Sequence, residues 1–356
     1  MDNRTYTIPY PVPNTANEEA YVRQIEKRSL RKASTGLGFF ILVYFLLMHW
    51  IGSLAVYGII KSQIATFENL ITLQFLVQII SAVGSALFAG LFYKLISRRH
   101  ISDCLPKSHV PLRTLVPMVM IGLGAAIIAN NLAGLFDSNI NIFQLKNSAE
   151  QSVSTQSIPE MVLYAVAVAI VPAFAEEFAF RGILMGVLRK HGDAFAIMAS
   201  SVMFGAMHGN TTQIVFAFVL GLIFAFVDCK ANSIIPSIII HFFNNFYSVL
   251  LDIIRMNLHW DDATLAVIRL VIMISFCLLG ILSYIYFAKT DNRFFRVANG
   301  DANPFSKTDV LTFKQKLGVF FTSIGVIVSL CLFLWETVYY LLPEEVKLMI
   351  PDWMLL

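Results

Sequence analysis

The sequence predicts an all-α polytopic membrane protein of about eight to nine transmembrane helices, and three observations carry that expectation. First, the 356 residues are 57% hydrophobic and only 14% charged, with a mean hydropathy of +0.69. A soluble domain carries roughly 25% charge and under half apolar residues. Second, the apolar residues fall in runs long enough to cross a ~30 Å hydrocarbon core, which takes about 17 to 25 helical residues. Third, the basic residues gather at the edges of alternate runs, as membrane orientation requires.

Taken in order, the runs predict spans at about 37–60, 70–96, 113–136, 160–188, 194–208, 213–228, 234–254, 264–288 and 317–342, the fifth and sixth being short. The polar residues 1–36 are too long to be a signal-peptide leader and read as a cytoplasmic tail or surface helix. Residues 37–154 then form accessory spans, 155–255 a core, and 256–356 further accessory spans and a tail. No repeat or soluble domain interrupts them.

Four basic clusters set the orientation: Arg23 to Lys32 before span one, Arg98 to Arg113 after span two, Arg189 and Lys190 after span four, and Lys289 to Lys316 before span nine. All fall on one side, which the positive-inside rule makes cytoplasmic. The N-terminus is then expected inside and the C-terminal PEEVKLMIPDWMLL outside, in a multi-pass cell-membrane protein. The net charge of +3 is spread over these edges, which argues against nucleic acid as a partner. Cys104, Cys229, Cys277 and Cys331 form no CxxC pair and read as packing residues.

Against this background, AEEFAFRGIL at 175–184 stands out, because ionisable groups inside a membrane helix each cost at least a few kcal/mol. Glu176, Glu177, Arg181, His208, His241, Asn244, Asn245 and Asp252 all lie at membrane depth within one third of the chain. Asn130, Asn131, Arg269 and Glu336 are outliers without assigned chemistry. Glu177 and Arg181 stand four residues apart and are expected to pair as helix glue. Glu176 points elsewhere. Gly192 lies midway between Glu176 and His208, so a continuous hairpin places both about 20 Å from its cytoplasmic turn and makes His208 the nearest partner by depth. His241 and Asn245 share one face of span seven, with Asn244 one position off it. Phe204, one turn before His208, is expected to pack on the imidazole or line the substrate groove.

Such a set suits the addition of water to a carbonyl. A carboxylate in a low-dielectric pocket serves as general base, a histidine shares the proton, and a His/Asn pair donates to a developing oxyanion. No Ser, Cys or Lys stands in a nucleophile setting at this depth, so water attacks, either free or on a metal. Glu176, His208 and His241 would be the ligands of a zinc ion if one is bound, although HExxH is absent.

The strings EEFAFR at 176–181, FGAMH at 204–208 and HFFNN at 241–245 resemble, in order and spacing, the EExxxR, FxxxH and HxxxN motifs of the CAAX-protease and bacteriocin-processing (Abi) family. The resemblance covers residues 155–255 and implies an intramembrane protease acting on membrane-associated peptides or proteins. It also implies that Glu176 is the base with His208 beside it on the water, that His241 and Asn245 form the oxyanion site, and that Glu177 and Arg181 hold the site together. A non-catalytic membrane chaperone or immunity protein, and a proton-coupled transporter, are the competing classes. Prenylated tails, leader peptides, pheromones and bacteriocins all stand open as substrates. By helix count His241 lies only about 10 Å from the cytoplasmic edge. This mismatch with Glu176 is expected to resolve as a cone open to the cytoplasm near Ser233 and Ser237, the alternative being a break at Pro236.

Overall fold

The computed structural model describes residues 16–62, 70–98, 100–142, 157–257, 260–291, 294–295 and 310–342. Residues 143–156 and the C-terminal PEEVKLMIPDWMLL lie outside them, as do Arg99, Arg293, Arg296 and Lys307 of the basic clusters.

Among the described residues the protein is all helical, apart from one isolated backbone bridge between Lys107 and Ser233. In chain order the helices are α1 (Ala16–Lys61), α2 (Leu70–Ser97), α3 (Leu112–Ile142), α4 (Ile158–His191), α5 (Asp193–Ala206), α6 (Thr211–Ala231), α7 (Ile235–Asn257), α8 (Asp262–Thr290), α9 (Phe313–Phe321) and α10 (Ile324–Leu341). Eight are long and apolar enough to cross a membrane, and α5 is a shorter apolar helix of 14 residues.

Two boundaries differ from those expected. No break occurs at residue 36, because α1 runs unbroken from Ala16. Its 46 residues span about 69 Å, more than twice a bilayer core. Its pre-membrane part is packed rather than free: Leu30 and Ser34 are fully buried. The Glu26 carboxylate accepts the backbone N–H groups of Val310 and Leu311 at 3.0 Å each. The ninth expected span is likewise divided, into α9 and α10. A capping box of Thr312 and Gln315 starts α9, which ends at Thr322.

α4 to α7 form the centre. α1, α2, α9 and α10 flank one side of it and α3 and α8 the other. One apolar core joins α1, α2, α4, α5, α9 and α10 through Tyr44, Phe180, Phe204 and Phe320. A second joins α3, α6, α7 and α8 through Met118, Phe224, Ile240 and Phe287. α8 is the outermost helix, with Leu270, Leu278, Ile281 and Leu282 all exposed, as a lipid-facing surface is. The connection 100–111 folds back onto the end of α6, where Asn232 in the left-handed region accepts the Ser108 N–H and donates its amide to the Ser108 hydroxyl.

Candidate active site

α4 carries the first motif and is not a uniform α-helix. π-helical turns occupy Val166–Ile170 and Phe178–Met185, on either side of the two glutamates. Pro172 accounts for part of the first irregularity. It has no N–H to give to the carbonyl four residues back, that of Val168. The Asn245 side-chain amide from α7 donates to that carbonyl at 3.1 Å. Along the second π segment the 101–105 connector presses close, and Gly186 lets it in: a Cβ there would meet the Cys104 carbonyl oxygen at 2.0 Å.

Glu177 and Arg181 meet as expected, Nη1 to Oε1 at 3.1 Å with both side chains fully buried. The guanidinium is further held by the Gly221 carbonyl at 3.4 Å and lies over the rings of Phe204 and Phe224, 4.2 and 5.1 Å from their centroids. These aromatic faces and the carboxylate replace water around a charge whose isolated burial would cost several kcal/mol. Glu177 also takes a hydrogen bond from His241 Nδ1 at 2.9 Å. That contact ties the first motif to the third.

Glu176 is placed differently. Its side chain is 15% exposed, its Oε2 has no hydrogen-bond partner, and its nearest imidazole nitrogen is His241 Nε2 at 4.0 Å. The equal-depth argument thus picks the wrong histidine. It assumes straight, uniform α-helices, whereas α4 contains π-helical turns that change both rise and direction. The same contacts remove the mismatch in depth, since His241 reaches Glu177 directly and Pro236 starts α7 rather than breaking it.

His208 lies in the turn that follows α5, just before Gly209, which adopts φ +65°, and its Nδ1 is 2.8 Å from the Phe204 carbonyl. A carbonyl only accepts, so Nδ1 carries the proton and Nε2 is the free ring nitrogen. Phe204 packs edge-on against both imidazoles, 5.0 Å from the His208 ring and 6.1 Å from the His241 ring. Glu176, His208 and His241 do not converge as zinc ligands: among the described residues no three His, Cys, Asp or Glu side chains stand close enough to hold a metal ion.

Asn244 is buried and bonds Asn130 of α3 at 3.3 Å and Asn245 at 3.2 Å, which gives the outlying Asn130 a role in joining helices. Asp252 accepts the Tyr164 hydroxyl at 2.9 Å. Glu336 accepts from His49 Nε2 at 3.0 Å and lies against Gly209, where a Cβ would meet its carboxyl carbon at 3.0 Å.

Asp228 was missed. It is fully buried near the end of α6 and accepts both the backbone N–H and the hydroxyl of Ser237, at 3.0 and 2.6 Å. It therefore caps the first turn of α7 from another helix. Standing at the end of an apolar run, it reads in sequence as an interface charge. Ser233 and Ser237 are 1% and 0% exposed, so the cytoplasmic mouth expected beside them is closed.

The fold and this layer of buried carboxylates, imidazoles and guanidinium define a multi-pass membrane protein with a polar intramembrane site. Residues 158–247, which carry the three motifs, match the family model described as "Type II CAAX prenyl endopeptidase Rce1-like". The chain is 24% identical over 223 residues to the Bacillus subtilis (strain 168) protein named "Putative membrane peptidase YdiL", an alignment covering 60% of this chain and 88% of that relative. No solved structure gives a significant match.

Proposed function

We propose that this protein is an intramembrane endopeptidase that hydrolyses peptide bonds of membrane-associated peptides or proteins, with Glu176 as the base that activates water. The observation that carries this reading is the contrast between adjacent carboxylates. Each carboxylate keeps one oxygen without a hydrogen-bond partner, but Glu177 is fully enclosed with its Oε1 matched by Arg181 and His241, whereas Glu176 is partly exposed and has only His241 Nε2 near it, at 4.0 Å. An acid without its own cation stabilises nothing at this depth, so its retention calls for a chemical role.

In the proposed reaction Glu176 takes a proton from water as its oxygen adds to the scissile carbonyl. Charge then develops on the carbonyl oxygen, and Asn245 has one amide hydrogen left to donate after bonding Val168. His241, fixed through Nδ1 on Glu177, turns Nε2 toward Glu176 and can share its proton. The C–N bond breaks as that proton passes to the leaving amine, restoring the carboxylate. His208 presents Nε2 to the same substrate. The N-terminus and the basic loops are proposed to be cytoplasmic, with substrate arriving in the bilayer.

The test is Glu176→Gln in proteoliposomes, assayed on a fluorogenic peptide library. Turnover should fall about a hundredfold or more, the typical worth of a positioned general base, while the melting temperature is unchanged. Near wild-type turnover would remove Glu176 as the base. A protein that only binds peptides would show no cleavage in either form.

A further inference from the structure

Helix direction sorts the residues around the site into two layers. α1, α5, α7 and α10 run away from the basic loops, and α4 and α6 run toward them. Tyr44, Phe45, Phe180, Phe204, Phe224 and Phe333 are at most 2% exposed and form an aromatic floor. Tyr44 meets Phe180 at 6.3 Å, Phe180 meets Phe204 at 5.2 Å and Phe204 meets Phe224 at 6.4 Å, while Phe45 meets Phe333 at 4.8 Å. Between this floor and the basic loops the packing stays tight, with Leu37, Phe40, Ile183, Asp228 and Ser237 fully buried.

The next turn of each helix, on the far side of the floor, is polar. His49 follows Phe45 by four residues on α1, Glu176 precedes Phe180 by four on α4, His208 follows Phe204 by four, and Glu336 follows Phe333 by three on α10. On α7 Asn245 stands four residues past His241, whose ring stacks on Phe224 at 5.3 Å. All five are partly exposed, His49, Glu336 and Glu176 at 25, 16 and 15% of their side chains. Polar groups bared at this depth face a wet opening, because lipid offers them no partner. The 14 residues of α5 leave room for one: they rise about 21 Å from the turn at Gly192, short of a ~30 Å core, so the turn that carries His208 ends below the opposite surface.

We propose that the site opens to the surface opposite the basic loops and takes peptide segments presented there, on the extracytoplasmic side of the proposed topology. His49 and Glu336 form the far wall of the opening, which brings α1 and α10, both outside the motif-bearing segment, against the substrate. The opening is the reverse of the cytoplasmic cone that residue counting predicts. That substrates enter by it rests on Glu176 being the base.

The experiment gives a membrane-impermeant fluorogenic peptide library to right-side-out and inverted vesicles from expressing cells, and counts cleavage in excess of Glu176→Gln. In a background without native cysteines, Lys107→Cys marks the side of the basic loops in each preparation. Peptides should be cleaved where a charged thiol reagent fails to reach Lys107→Cys, and stay intact, until detergent is added, where it does reach it. Cleavage from the Lys107 side, or equally from both sides, overturns the proposal. Labelling reads the opening without catalysis. His49→Cys should react from the side opposite Lys107→Cys, and Glu336→Cys, which keeps the imidazole, is the second variant should the first fold poorly. Reaction from the Lys107 side, or from neither side, overturns the opening. No excess cleavage in vesicles or in detergent removes Glu176 as the base, and the labelling alone then decides the opening.

Discussion

His241 Nδ1 lies 2.9 Å from Oε1 of Glu177, the same carboxylate oxygen that takes the Arg181 guanidinium at 3.1 Å. One oxygen thus joins helices α4 and α7 and fixes the imidazole's direction. Its Nε2 consequently faces Glu176, so the residue that touches no substrate in the proposed reaction decides where the reactive nitrogen points. The second glutamate of the motif is thereby explained by geometry: Glu177 orients and Glu176 remains free.

Arg181→Ala should destabilise the fold by about 3–5 kcal/mol, since it leaves Glu177 buried without its cation. The guanidinium also fills the space between Phe204 and Phe224. Arg181→Lys should recover only part of the loss, because an ammonium cannot reach Glu177 and the Gly221 carbonyl as a planar fork does. Thermal unfolding in detergent measures both. An Arg181→Ala protein with wild-type stability and no activity would place the arginine in the chemistry instead.

Asn245 and Pro172 should be coupled. In the wild-type background Asn245→Ala removes a hydrogen bond to a carbonyl that proline has left without its helical donor, at a cost of about 1 to 3 kcal/mol. With Pro172→Ala the residue at 172 regains an N–H for Val168, and the same Asn245→Ala change should then cost under about 0.5 kcal/mol. A double-mutant cycle of unfolding free energies checks this, and additive costs would contradict the proline account.

The pairing of His49 with Glu336 links α1 to α10 beside the loop that carries His208. Both atoms facing the imidazole, the Phe45 carbonyl and the Glu336 carboxylate, are acceptors, so the pair must hold a proton between its members. Glu336→Gln should lower the melting temperature less than His49→Phe, which strands a buried carboxylate. Equal effects in differential scanning measurements would argue that the pair carries no such proton.

Cysteine labelling checks the closed face and the orientation together. In a background without native cysteines, Ser237→Cys should stay unreactive toward a charged thiol reagent from either side, because Ser237 is fully buried on Asp228. Lys107→Cys is exposed in the connection that docks on the end of α6 and should react from the cytoplasmic side. Reaction of Lys107→Cys only from outside would invert the proposed topology.

The membrane class, the three motifs and the Glu177–Arg181 pair are legible in the chain alone, because hydropathy and helical spacing are local properties. The sequence also marked Glu176 as an acid without a local cation. Only the tertiary structure decided that His241 rather than His208 faces Glu176, since that depends on π-helical turns and helix tilt that residue counting does not contain. Asp228 shows the same division. At the end of a hydrophobic run an aspartate reads as a charge reaching water, and only the return of α7 along α6 turns it into a buried cap on Ser237.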